Sequence, residues 1–322
     1  MRDLSRREVD LVNSDLGPLE IFFRINGLES EQYKKKYNNN LKIMAESGDI
    51  LKGANGITHK NGERILIGLH ENIIENERLR PRALYHELGH ALMGITYSSQ
   101  GTQDKILNMI VNAKKANEKV LNEDVVVYFE GLKLLEEYLV EKFSFCMLEN
   151  AKRIPVPQMK YGLSNPSICG SYTYNATFDT NYAIIESLGD KLVNKAFGSS
   201  NKAIREGMAE KYFTTFFEKY DNIEFMKILG NLGHIKLAIY SRAGQNDYVY
   251  NPNEIQQKLH EADSMIDIIQ PKIVRQISDA TRQERCPGEI STGVRRTKGL
   301  FSRIVDKIKE TREKWEKYIL KF

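Results

Sequence analysis

The segment running from Arg80 to Gly94, RPRALYHELGHALMG, restricts the possible folds more than any other stretch of the chain. Pro81 is acceptable in the first turn of a helix, where the N–H it lacks has no intrahelical partner to lose. Leu84, Leu88, Ala91 and Leu92 then recur at helical spacing. The residues around His86, Glu87 and His90 are all uncharged (Leu84, Tyr85, Leu88, Gly89, Ala91, Leu92), as expected of a helix packed into the floor of a cleft. Two histidines four residues apart lie one turn apart on one helical face, so both imidazoles can point at a single ion about 2 Å away. Glu87 projects from a neighbouring direction, where it can reach a metal-bound water without ligating the metal and act as general base. A pattern HExxH arises by chance in a shuffled chain of this composition on the order of 1% of the time. The bland alternative is a core helix whose histidines only form hydrogen bonds.

Composition bounds the rest. The chain has 322 residues with 41% hydrophobic and 28% charged, enough for a substantial core in one large domain or two modest ones. The formal charge of +4 is unevenly placed: Ser291 to Phe322 holds ten Lys or Arg against four Asp or Glu, which leaves the body slightly acidic and unlike a polyanion binder. The first residues carry acids and no continuous apolar stretch of signal-peptide length, and no window approaches a membrane span, so a cytoplasmic location is expected. Cys146, Cys169 and Cys286 are odd in number and far apart, which argues against a disulfide framework and against a cysteine-held metal. Any metal must be held by histidine and carboxylate.

The coarse pattern predicts an α+β, mostly helical fold. The first 45 residues read as short helices broken at Gly17-Pro18 and at the KKKYNNN run. Asn61-Gly62 between strands Ile57–His59 and Ile65–Leu69 signals a hairpin directly ahead of the His-bearing helix. A long helix is expected from about Glu123 to Ala151, ending before the proline-bearing loop IPVPQMKYGLSNP. Three amphipathic helices follow, within 182–197, 202–220 and 223–241, then a linker RAGQNDYVYNPNE and two helices over about 254–284 and 299–319. This divides the chain into a catalytic region at 1–152, a helical lobe completing the cleft at 153–245, and C-terminal helices with the basic tail at 246–322.

The HELGH segment resembles the zincin metallopeptidases, in which two His bind zinc and the Glu polarises water. The metzincin form, HExxHxxGxxH, is broken here, because Met93 and Thr96 stand where its glycine and third histidine belong. The gluzincin form takes a third ligand Glu from a later helix, followed four residues on by an acid that braces a metal-binding His. LLEEYLVEKFSF fits, with Glu137 as ligand and Glu141 as the bracing acid one turn away, and it is similar to the E-[FY]-x-x-E-x-F helix of the anthrax lethal-factor type of domain. The resemblance covers two short helices, about 25 residues. Glu130 shares Glu137's face by heptad spacing and is the alternative ligand; Glu136 and Glu149 lie on the same helix.

The resemblance implies a Zn2+ peptidase: a water whose pKa falls to around 7 on the metal loses its proton to Glu87 and attacks a peptide carbonyl. Ile65–Leu69 is expected to be the edge strand that pairs with an extended substrate. His234, Tyr128, Tyr172 and Tyr174 are candidates to stabilise the oxyanion, with His234 preferred. His59, His70 and His260 read as surface residues. The last helix sets Phe301, Ile304, Ile308 and Trp315 opposite a basic face, which suits packing on the lobe, an anionic membrane surface or nucleic acid. The expected partner is a protein or peptide substrate. The competing readings are a catalytically silent binding protein on the same fold and a hydrolase of non-peptide amides.

Overall fold

The computed structural model describes residues 1–25, 40–47, 55–61, 64–95, 99–150, 176–240 and 252–272. The chain opens with helix α1 (Arg6–Ile25), which runs through Gly17 and Pro18, where the sequence pattern predicts a break. Tertiary packing overrides the local penalty: Val12, Phe22 and Phe23 on this helix are buried, and Phe22 meets Phe143 edge-on at 5.3 Å between ring centroids.

Three strands follow, β1 (Leu41–Glu46), β2 (Gly56–Asn61) and β3 (Arg64–His70), in spatial order β1-β3-β2. The hairpin is present, with Asn61 opposite Arg64 in an antiparallel β2–β3 ladder. Strand β1 pairs with β3 in parallel, Leu41 opposite Ile65 through Glu46 opposite His70. This corrects the expected edge: β3, which contains Ile65–Leu69, is the central strand with both sides hydrogen-bonded, so it has no free edge to offer a substrate. The outer strand next to the His-bearing helix is β2. The burial of β3 agrees, since Ile65, Ile67 and Leu69 are in the core.

His70 ends β3 and is buried; its Nδ1 accepts the Asn72 N–H at 3.1 Å, capping the short helix α2 (Glu71–Ile74), so it is a structural cap rather than a surface residue. Helix α3 (Leu79–Met93) carries the HELGH segment and has Pro81 in its first turn. It is buried on nearly every side, through Ala83, Leu84, Tyr85, Leu88, Ala91, Leu92 and Met93. Arg80 anchors its start, donating to Asp15 of α1 at 2.6 Å in a pair shielded from solvent.

Helix α4 (Gln100–Ala116), which the pattern reading leaves unassigned, is capped by Ser99 and buries Ile106, Ile110 and Ala113. Helix α5 (Val125–Asn150) is the long helix expected in this region. It lies against α3 at Gly89, where a Cβ would come within 2.9 Å of Val140 Cγ1 and 3.3 Å of Val140 Cα. That missing side chain brings the two backbones together and sets His86 and His90 against the acids of α5.

The helical lobe comprises α6 (Ala176–Phe197), α7 (Ser200–Met208), α8 (Tyr212–Lys219), α9 (Asn222–Tyr240) and α10 (Pro252–Ile268). The stretch expected as one helix over 202–220 is split in two at Glu210, whose φ of 57° lies in the left-handed region. Phe197, Tyr212, Phe216, Tyr220 and Phe225 stack in the interior of the lobe. Helix α9 packs along α5, where Gly131 abuts the Leu229 carbonyl and Gly233 the Val127 carbonyl so closely that a Cβ at either place would collide. Helix α10 stops at Ile268 instead of continuing to 284, three residues before Pro271, which disfavours helix in the residue before it. Met1–Lys272 forms one compact unit. Among the described residues no helix is long and apolar enough to cross a membrane. The proline loop with Tyr172 and Tyr174, residues 242–251 of the linker, the two distant cysteines Cys169 and Cys286, and the segment expected as the basic last helix lie outside the described residues, while Pro252–Glu254, the end of the expected linker, open α10.

Candidate metal centre

Because α3 and α5 meet at Gly89, the turn of α3 from His86 to His90 faces Glu136, Glu137 and Glu141 of α5. His86 Nε2 and His90 Nε2 are 3.3 Å apart, and Glu137 Oε2 lies 3.6 Å from the first and 3.4 Å from the second. Donors held about 2.1 Å from one ion at tetrahedral angles are about 3.4 Å from each other. The three separations therefore match the base of a tetrahedral site, and the His86, His90, Glu137 cluster could hold a metal ion.

The other nitrogen of each imidazole faces an acid. His90 Nδ1 is 2.8 Å from Glu136 Oε1, and Glu136 Oε2 accepts the Ile95 N–H, also at 2.8 Å. His86 Nδ1 lies at ion-pair distance, 3.0 Å, from Glu141 Oε1, and Arg82 stands 4.0 Å from the second oxygen of Glu141. An acid on Nδ1 fixes the tautomer that presents Nε2 to a metal. Glu141 is thus beside the histidine as the spacing suggests, whereas Glu136, to which the sequence pattern assigns no role, braces the other one. Glu130 is turned to Lys133, 2.6 Å away, outside the cluster.

The charges show what the cluster lacks. Burial opposes protonating His86, yet Glu141 outweighs it and raises its pKa. For His90 burial again opposes, and Glu137 and Glu136 lift its pKa well above the ordinary value. Against the opposing effect of burial, His90, Lys236 and His86 hold the Glu137 carboxyl well below the usual carboxylate range. With neutral imidazoles, four carboxylates (Glu87, Glu136, Glu137, Glu141) face two cations (Arg82, Lys236), a deficit of two positive charges. Protons on the imidazoles supply positive charge there at the cost of crowding Nε2 against Nε2 at 3.3 Å, whereas a divalent cation supplies it with both imidazoles free to ligate.

Glu87 is itself buried and is held by a hydroxyl. Thr58 Oγ1 of strand β2 lies 2.6 Å from its Oε2 and 3.1 Å from its backbone oxygen, and donates its one proton between them. This tether ties the acid of HELGH to the outer strand of the sheet. A threonine two residues ahead of the hairpin's Lys60-Asn61 gives no sequence signal by itself, since only the fold places β2 over α3.

His234 pairs with Glu123 at 3.0 Å and is not one of the three clustered residues; the residue of α9 whose ion pair reaches the cluster is Lys236, with Nζ 3.5 Å from Glu137 Oε1. Tyr128 is buried where α5 meets Gly230 of α9, and burial, as the largest influence, raises its pKa. Tyr172 and Tyr174 fall outside the described residues. Comparisons with family models, with curated proteins and with solved structures return no match for this chain.

Proposed function

We propose that this protein is a zinc-dependent peptidase of the gluzincin kind, with His86, His90 and Glu137 as ligands and Glu87 as general base. The single observation that carries the reading is the triangle of Nε2, Nε2 and Oε2 atoms at 3.3, 3.4 and 3.6 Å with Glu87 on the same helix. Zinc is favoured over harder cations because two imidazoles and one carboxylate form a mixed nitrogen and oxygen donor set in tetrahedral array, whereas calcium and magnesium prefer all-oxygen shells. When bound, zinc supplies Lewis acidity, lowering the pKa of water and polarising a carbonyl.

The chain's own groups do the remaining work. Glu136 holds the His90 imidazole with Nε2 inward, and Glu141 stands 3.0 Å from Nδ1 of His86. Thr58 fixes Glu87 through Oε2, which leaves Oε1 as the oxygen that accepts a proton from attacking water and later delivers it to the leaving amine. Strand β2 pairs with β3 on one side only among the described residues. An extended peptide added to its other side would run past Thr58 and hence past Glu87, which favours a peptide over a small amide.

Metal content and cleavage are measured together as the test. Wild type purified from zinc-containing medium should carry one zinc per chain, and new N-termini in a proteome digest should vanish with Glu87→Gln while zinc is retained. A wild type that binds no zinc ends the reading. Stoichiometric zinc without any peptide cleavage would favour the silent binding protein or the non-peptide amide hydrolase instead.

A further inference from the structure

The two oxygens of Glu137 have different surroundings. Oε2 faces both imidazoles, at 3.6 and 3.4 Å, while Oε1 faces Lys236 Nζ at 3.5 Å. A carboxylate in such a place can bind a metal through one oxygen or through both, and the second mode fills a coordination position. Catalytic zinc sites keep one position open for substrate or water, so the difference decides whether the site can work.

We propose that Lys236 is a positioning residue that holds Glu137 as a one-oxygen ligand and so keeps a fourth position on the metal free. The inference rests on the metal reading above and deepens it. Lysine is well suited to this role, because its ammonium is a compact charge on a long stem and can engage one carboxylate oxygen without the two-oxygen fork that arginine prefers. Its side chain is only 12% exposed, so solvent and salt screen the attraction little. Its root is fixed, because α9 lies backbone-to-backbone on α5 at Gly131 and Gly233, the same helix that carries Glu137. The neighbouring charges cannot substitute. Glu136 and Glu141 are anions engaged with the imidazoles, and Arg82 stands beside Glu141.

Cobalt(II) in place of zinc tests this without a substrate, since its visible absorption is strong in four-coordinate sites and weak in five-coordinate ones. The full-length protein is compared as wild type, Lys236→Met and Lys236→Arg, each loaded to one cobalt per chain, with thermal melting as the check on folding. Wild type should show the strong four-coordinate spectrum. Lys236→Met should keep its cobalt and lose intensity severalfold as the freed oxygen joins the metal, and Lys236→Arg should recover most of it. An unchanged Lys236→Met spectrum overturns the proposal, and so does loss of cobalt from a folded Lys236→Met, which would make Lys236 part of the scaffold rather than a selector of oxygens. If Lys236→Met does not fold, Lys236→Gln takes its place, since it removes the charge and keeps a polar side chain: a severalfold loss of intensity supports the role and an unchanged spectrum overturns it. A wild type that takes up no cobalt removes the metal reading itself, an outcome separate from all of these.

Discussion

Glu136 offers the sharpest test of how the centre is built, because it does two jobs at once. Its side chain is buried, one oxygen 2.8 Å from His90 Nδ1 and the other accepting the Ile95 N–H at 2.8 Å. Glu136→Ala removes both. The orphaned Ile95 amide costs about 1–3 kcal/mol, since it is buried and was satisfied by a charged acceptor. Loss of the acid behind a ligating imidazole weakens metal binding by about 10- to 100-fold, which is about 1.4–2.7 kcal/mol at 1.36 kcal/mol per tenfold. Glu136→Gln cannot repair both contacts, because an amide has one acceptor oxygen and its NH2 would meet either the Ile95 N–H or the protonated Nδ1, donor to donor. Urea unfolding with and without zinc gives the first quantity, and competition with a chelating dye gives the second. Glu130→Ala is the control: Glu130 pairs with Lys133 away from the histidines, and zinc affinity should not move. Zinc affinity of Glu136→Ala within about twofold of wild type, with unchanged metal-free stability, would refute the bracing role.

The pH dependence of the centre has a definite sign. Both histidines have raised pKa values in the metal-free protein, so their stabilising protons are fully present below the unfolded value of 6.5 and are lost as pH rises through the folded values. Zinc needs those imidazoles neutral, so the melting-temperature gap between zinc-loaded and metal-free protein should widen as pH rises from about 6 to about 8; a gap that narrows contradicts the assignment. Gly131→Ala should destabilise the chain by about 1–3 kcal/mol or more in urea unfolding, because its Cβ has to displace the Leu229 carbonyl and separate α5 from α9. Wild-type stability in that variant would mean the helices are not in backbone contact. Glu210 has a left-handed φ of 57° while its Oε2 accepts from Ser99 N–H and Oγ and from Thr102 Oγ1. Glu210→Ala should lose the clasp on α4 and keep the strain, and Glu210→Gly should recover about 1 kcal/mol of that loss; equal melting temperatures for the two variants would show that the φ carries no strain.

How much of this was legible in the sequence follows from where each signal is stored. Candidate ligands on one helix announce themselves by spacing, so His86, His90 and the pair Glu137 and Glu141 could be read as single turns. Glu136 could not be read that way, since adjacent residues on a helix diverge by about 100° and only one of them should face a partner. Both face α3 because Gly89 lets the helices approach until α3 straddles the ridge of α5, and that is a property of the pair. A chemical count could still have found it: two ligating imidazoles each need a partner for the other nitrogen, and one bracing acid for two histidines leaves one short. The mistaken edge strand has the same origin, because whether β3 is central or outer depends on β1, a six-residue strand in which only Ala45 and Glu46 are buried and no inside–outside alternation shows. Lys236 lies about a hundred residues from Glu137 on a helix that reads as ordinary amphipathic packing, and no local pattern could assign it. What points to it is electrostatic. Four carboxylates gathered beside one arginine favour a further cation from an element packed on α5, and α9 brings Lys236 to Glu137.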